Sequence, residues 1–92
     1  MTKTLMVRIT GDVQGVGFRA WAERAARQRG LNGWVRNRRD GSVEALISGP
    51  DEKVADILAY IWQGPTHSRV ERVDSEPATE PMQLGFRTLP TA

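Results

Sequence analysis

The sequence contains no cysteine, so a disulfide framework, a thiolate metal site and a cysteine nucleophile are all excluded. Histidine is nearly absent: His67 is alone, with no second imidazole to form a metal pair and no partner at triad spacing. It is expected to be a surface or turn residue. No apolar run approaches the length needed to cross a bilayer. The chain opens at Met1 and passes within a few residues into an alternating pattern, with no apolar leader of signal length, so the expected compartment is the cytoplasm and no membrane partner is expected. Lysine is scarce as well. Of 13 basic residues, all but Lys3 and Lys53 are arginine. Arginine carries a planar fork that matches oxyanions, so the composition favours an anionic partner; it is equally what a high-GC genome would supply as surface charge. Ninety-two residues suffice for one core and not for two, which sets the expectation of a single domain over residues 1–92.

What is present reads in order. Thr4 to Thr10 alternates, with Leu5, Val7 and Ile9 on one face: a half-buried strand. Gly11 to Gly17 is a glycine-rich loop. Phe18, Trp21, Ala22, Ala25 and Ala26 recur at helical spacing, and Gly30 ends that helix. Leu31 to Arg38 reads as a second strand, Asp40-Gly41 as a hairpin turn, and Ser42 to Ser48 as a third strand with Val43, Ala45 and Ile47 on one face. A second helix opens at Pro50-Asp51-Glu52 with Pro50 in its first turn, buries Val54, Ile57, Leu58 and Ile61, and stops at Gly64-Pro65. Arg69 to Ser75 is a strand in which Val70 and Val73 are out of step, as a bulge would make them. Glu76 to Pro81 reads as a loop, and Gln83 to Leu89 as a last short strand with Leu84 and Phe86 inward. The order βαββαβ plus a terminal strand predicts a ferredoxin-like α+β sandwich: an antiparallel sheet with two helices on one face.

Two residues stand where folding would not place them. Arg19 lies in the first turn of the first helix, where a cation opposes the macrodipole at about 0.3–1 kcal/mol. A bound anion would reverse that sign. The loop before it has no proline, so each residue offers an N–H, and its glycines let the backbone curl around a phosphate. A tight turn followed by an exposed arginine is the other reading. Asn37 sits in a strand, where asparagine is depleted; an early start of the hairpin would account for it equally well.

Gly11-Asp12-Val13-Gln14-Gly15-Val16-Gly17-Phe18-Arg19 resembles the first signature of acylphosphatases, G-x-V-Q-G-V-x-[FY]-R. Gly33-Trp34-Val35-Arg36-Asn37, followed by Gly41, Val43 and Gly49, resembles the second, G-[FYW]-[AV]-x-N-x-x-x-G-x-V-x-x-x-x-x-G. The resemblance implies hydrolysis of acyl phosphates to a carboxylate and inorganic phosphate, without metal or other cofactor. It places phosphate binding on Arg19 and on the loop amides of Gln14, Gly15, Val16, Gly17 and Phe18, and orientation of the attacking water on Asn37. Inorganic phosphate would then be product and competitive inhibitor. Many relatives carry an aromatic at the position of Gly17, which implies a more flexible loop here. In some relatives the terminal carboxylate pairs with the catalytic arginine, and here the chain runs a few residues further. Asp12 is expected to point to solvent. A monomer is the default.

Two other readings share the βαββαβ order. An RNA-binding module would need aromatics on the first and third strands, which have none, so no nucleic-acid partner is expected. A non-catalytic accessory module of the same fold would not need both signature residues. The remaining aromatics, Trp21, Trp34 and Trp62, are read as packing. Arg36, Arg38, Arg39 and Asp40 are read as a solvated hairpin edge.

Overall fold

The computed structural model describes residues 1–81 and 83–92. Met82, between the segment read as a loop and the one read as the last short strand, lies outside the described residues. The elements are β1 (Thr2–Asp12), α1 (Phe18–Gln28), β2 (Asn32–Asn37), β3 (Val43–Pro50), α2 (Asp51–Gln63), β4 (Arg69–Pro77) and β5 (Phe86–Thr88). One sheet takes all five strands in the order β4-β1-β3-β2-β5. The four long strands are antiparallel to their neighbours. β5 instead runs parallel to β2, with Gly33 opposite Phe86 and Val35 opposite Thr88, so the sheet is mixed.

The alternation in β1 is realised: Leu5, Val7 and Ile9 turn to the helices and are buried. Both helices cover that face. Ala22, Ala25 and Ala26 of α1 are small enough to bring its backbone near the sheet, and Val54, Ile57 and Ile61 of α2 complete the layer. Leu58 is half-buried against the core rather than part of it. Pro50 belongs to the end of β3 and is the N-cap of α2, not a residue of its first turn. Its φ of −57° and ψ of 140° are those of extended chain entering a helix, and Asp51 and Glu52 then occupy the positive end of the dipole.

Arg72 pairs with Thr10 and Val70 with Gly11, so Glu71 is the extra residue of a bulge. That bulge puts Val70 and Val73 on one side against the core despite their spacing. β4 runs to Pro77, two residues into the segment read as loop; as an edge strand it tolerates the missing N–H of proline. At the other edge, Phe86 is buried while Leu84 is 87% exposed. Leu84 lies before the β5 ladder begins, so it is not bound by strand alternation. Trp62 is also half exposed and does not pack as expected.

β3 is buried on both faces from Val43 to Gly49. Its core-facing side meets the helices. On the open side Glu44 lies beneath three arginines: Arg36 Nη2 at 2.7 Å, Arg38 Nη1 at 3.3 Å and Arg8 Nη2 at 3.5 Å. Burial by itself pushes the Glu44 carboxyl up, but the hydrogen bond and charge of Arg36, with the charges of Arg38 and Arg8, outweigh it. The carboxyl is held below the usual range and stays ionised. Arg36 and Arg38 are therefore organised around a buried carboxylate, and Arg36 also lies over the Trp34 ring at 4.6 Å. In the turn, Asp40 Oδ1 accepts from Ser42 N at 2.9 Å and from Ser42 Oγ at 2.6 Å.

Candidate active site

The N-terminus of α1 and the end of β2 meet at one cavity of about 330 Å³. Its walls include Gly15, Gly17, Phe18 and Arg19 from the loop and helix start, and Asn37 from the strand. Sequence reading assigned these residues to one site from segments far apart in the chain, and the fold brings them together. Gln14 and Val16 are not among the lining residues, whereas Val13, Ala20, Glu23 and Thr88 are.

The helix start is uncapped by any side chain. Gly17 is the N-cap, with φ of 77° and ψ of 19°, a left-handed conformation that glycine adopts without steric cost. It has no side chain and so gives no capping hydrogen bond. The first intrahelical bond runs from Trp21 N to Gly17 O at 3.1 Å. The N–H groups of Phe18, Arg19 and Ala20 therefore have no intrahelical acceptor, no side-chain cap and no acidic residue in the first turn. Arg19 stands there half-buried, and among the described residues no carboxylate forms a salt bridge with it. Donors and positive charge converge there, an arrangement that would favour an anion. Asp12 is exposed, as expected. A Cβ built on Gly17 would meet nothing within 4 Å, but at a φ of 77° any other residue there would be strained.

Asn37 is the last residue of β2 and pairs with Val43 of β3, so it belongs to the strand and not to the turn. Its Oδ1 is buried and has no hydrogen-bond partner among the described residues. An orphaned buried acceptor costs about 1–3 kcal/mol. The neighbouring backbone is tied on both sides: Ala92 N donates to Asn37 O at 3.0 Å and Arg39 N donates to Ala92 O at 2.8 Å. The segment after β5 thus runs along β2, and no ion pair joins it to Arg19 among the described residues.

The Gln14 side chain has a task of its own. Its Nε2 donates to Arg38 O at 2.7 Å and to Ser42 O at 2.8 Å, tying the loop to the β2–β3 hairpin. The element carrying Arg19 and the one carrying Asn37 are joined by this side chain. Gln14→Leu should destabilise the fold by about 1–3 kcal/mol, because it removes two hydrogen bonds between the loop and the hairpin. It should also lower kcat about tenfold, with a smaller change in KM, since it loosens one half of the site against the other. Chemical denaturation and steady-state rates check both; an unchanged kcat in a destabilised protein would show the tie to be structural alone.

Glu23 was not anticipated. It lies one turn beyond Arg19 on the same face of α1, at the i+4 spacing that could have revealed it. Thr88 had no such signal, because its place depends on the parallel pairing of β5 with β2. His67 is exposed in the turn before β4 with φ of 73°, and it does not line the cavity. Among the described residues no group of three His, Cys, Asp or Glu side chains could hold a metal ion. No helix is long and apolar enough to cross a membrane.

A small two-layer α+β protein with an uncapped helix start, a free arginine and an orphaned amide oxygen around one cavity has the layout of a phosphate-handling hydrolase. A sequence model of the acylphosphatase family matches residues 5–88. The chain is 52% identical over 92 residues to an acylphosphatase of Azorhizobium caulinodans, covering 99% of both chains. It is 60% identical over 74 residues to one of Bradyrhizobium diazoefficiens, covering 80% of this chain and 75% of the relative. The structure superposes on an acylphosphatase from Coxiella burnetii with a TM-score of 0.91 at 30% identity, covering 96% and 93% of the two chains. The match to the acylphosphatase of Bacillus subtilis has a TM-score of 0.89 at 31% identity, covering 97% and 99%. The same fold occurs in HypF, where the match, at 22% identity, covers 12% of that chain. The chain belongs to the acylphosphatase family. It is a hydrolase acting on acid anhydrides, with a small-molecule acyl phosphate as substrate.

Proposed function

We propose that residues 1–92 work as one acylphosphatase domain in which Arg19 and the amides from Gln14 to Phe18 hold the phosphoryl group while Asn37 positions the attacking water. The observation that carries this reading is that Asn37, whose Oδ1 has no hydrogen-bond partner among the described residues, and Arg19, which forms no salt bridge among them, line one cavity. An amide oxygen accepts a hydrogen bond from water and fixes its direction. A guanidinium beside uncapped helix N–H groups stabilises the charge on the equatorial phosphoryl oxygens. Phosphoryl transfer requires positioning and charge stabilisation more than covalent chemistry.

The balance of the step is simple. Water oxygen bonds to phosphorus, the bond from phosphorus to the acyl oxygen breaks, and the carboxylate departs with the electron pair. A carboxylate is a good leaving group and needs no proton. The water proton passes to a phosphoryl oxygen. Arg19 supplies the positive charge, and the reading includes no metal or other cofactor. It takes the protein as a cytoplasmic monomer, without nucleic-acid or membrane partners, and inorganic phosphate as a competitive inhibitor bound in the same cradle.

The leaving group provides the test. The guanidinium keeps its proton and the amide does not titrate, so neither can protonate a departing alkoxide. Uncatalysed hydrolysis of alkyl phosphate monoesters is so slow that enzymes must accelerate it by up to roughly 10²¹-fold. Purified protein should hydrolyse benzoyl phosphate and acetyl phosphate readily and give no measurable turnover on glycerol phosphate or phosphoserine. Comparable rates on acyl and alkyl phosphates would show an acid at work in the site and overturn the mechanism.

A further inference from the structure

With the phosphoryl group on the loop and water on Asn37, the rest of the cavity wall is chiefly Ala20, Glu23 and Thr88. Glu23 and Thr88 are the polar lining residues that neither the phosphoryl group nor the water uses, and so the ones left for the acyl group. Glu23 is a carboxylate, an unexpected group beside a site that gathers anions. It is held in place: Thr88 Oγ1 donates to Glu23 Oε1 at 3.2 Å, and Arg27 Nη2 lies 3.8 Å from the same oxygen. No partner reaches Oε2 among the described residues. The Arg27 contact is long and its side chain is 63% exposed, so solvent screens it and most of the Glu23 charge is left uncompensated.

We propose that Glu23 is a specificity-determining residue that selects the acyl group by charge, favouring acyl phosphates that carry an amine and disfavouring those with a second anionic group. This rests on the cradle assignment above. An ammonium or N–H donor on the acyl group finds a free acceptor in Oε2, while a carboxylate on the acyl group meets a fixed like charge. At separations of several ångströms near a protein surface, such charge terms correspond to about threefold to tenfold in rate for each sign. Thr88 and Arg27 act by fixing the carboxylate against the β5 side of the cavity.

Three substrates of one shape isolate the effect: benzoyl phosphate, 4-(aminomethyl)benzoyl phosphate and 4-carboxybenzoyl phosphate. Their intrinsic reactivities cancel when kcat/KM ratios are compared between the parent and Glu23→Gln. The ratio of the amino to the carboxy substrate should fall about tenfold or more in Glu23→Gln, with benzoyl phosphate changing by less than about threefold. Glu23→Asp, which keeps the charge, should retain most of the parental ratio. In the parent, raising sodium chloride should compress the same ratio without any substitution, so the proposal stays testable if a variant fails to fold. An unchanged ratio, or an equal fall on all three substrates, would overturn it; the second result would place Glu23 in the reaction itself. A parent inactive on all three would instead overturn the proposed function.

Discussion

Arg19→Ala should lower kcat/KM on benzoyl phosphate by about 10³-fold or more while leaving a folded protein. Removing a preorganised donor from a charge-stabilising site costs about 10²–10³-fold, and a transition-state arginine contributes about 10³–10⁵-fold. Arg19 stands beside helix N–H groups that no side-chain cap and no acidic first-turn residue serves. Inhibition by inorganic phosphate should weaken in parallel, because ground state and transition state share the cradle. Stability should move the other way. The arginine opposes the dipole of α1 and forms no ion pair among the described residues, so its loss should be neutral or should stabilise by up to about 0.5 kcal/mol. Melting curves measured beside rates separate the two effects. A folded variant with near-parental turnover would refute the assignment.

The second large effect belongs to Asn37→Ala. It should reduce kcat and kcat/KM together by about 10²-fold and leave phosphate inhibition within about twofold. Equal falls in the two parameters mark an interaction made in the transition state and not in the ground state. The structure adds an expectation about stability. Most polar side chains at buried positions lose a hydrogen bond when truncated; Asn37 Oδ1 has none to lose, and its removal abolishes an orphaned acceptor. The variant should be at least as stable as the parent by denaturant titration. A rise in KM with kcat unchanged would make Asn37 a substrate-binding residue. A marked loss of stability would make it a structural one.

Both effects concern residues that stand against local preference, a cation at a helix N-terminus and an amide at the end of a strand. Sequences agree with their structures at most positions, and departures concentrate where function is served. That is why the site was legible at all. Arg19 and Asn37 were anomalies before they were neighbours, and the two signature segments bound them to one chemistry. Glu23 was overlooked because a glutamate on a helix violates no local rule. It acquires meaning through what lies across the cavity from it.

Several features were determined by the sequence alone because they depend on neighbours a few residues apart. The alternation of Leu5, Val7 and Ile9 determined β1, the spacing of Ala22, Ala25 and Ala26 the buried face of α1, and Asp40-Gly41 the turn between β2 and β3. The glycines at 15 and 17, both with positive φ, determined a loop able to curl ahead of the helix. Tertiary structure decided the rest. The parallel pairing of β5 with β2, the inward Phe86 and the outward Leu84 follow from a sheet edge to which the chain returns after a crossover, and no local period encodes that return. The burial of Glu44 came from three arginines on two segments, Arg8 of β1 and Arg36 and Arg38 at the end of β2, closing over it. Gln14 bridging to the hairpin, Asn37 Oδ1 left without a partner and Glu23 held by Thr88 all join residues far apart in sequence. Such contacts are set by packing across the whole core, which a pattern read along the chain does not contain.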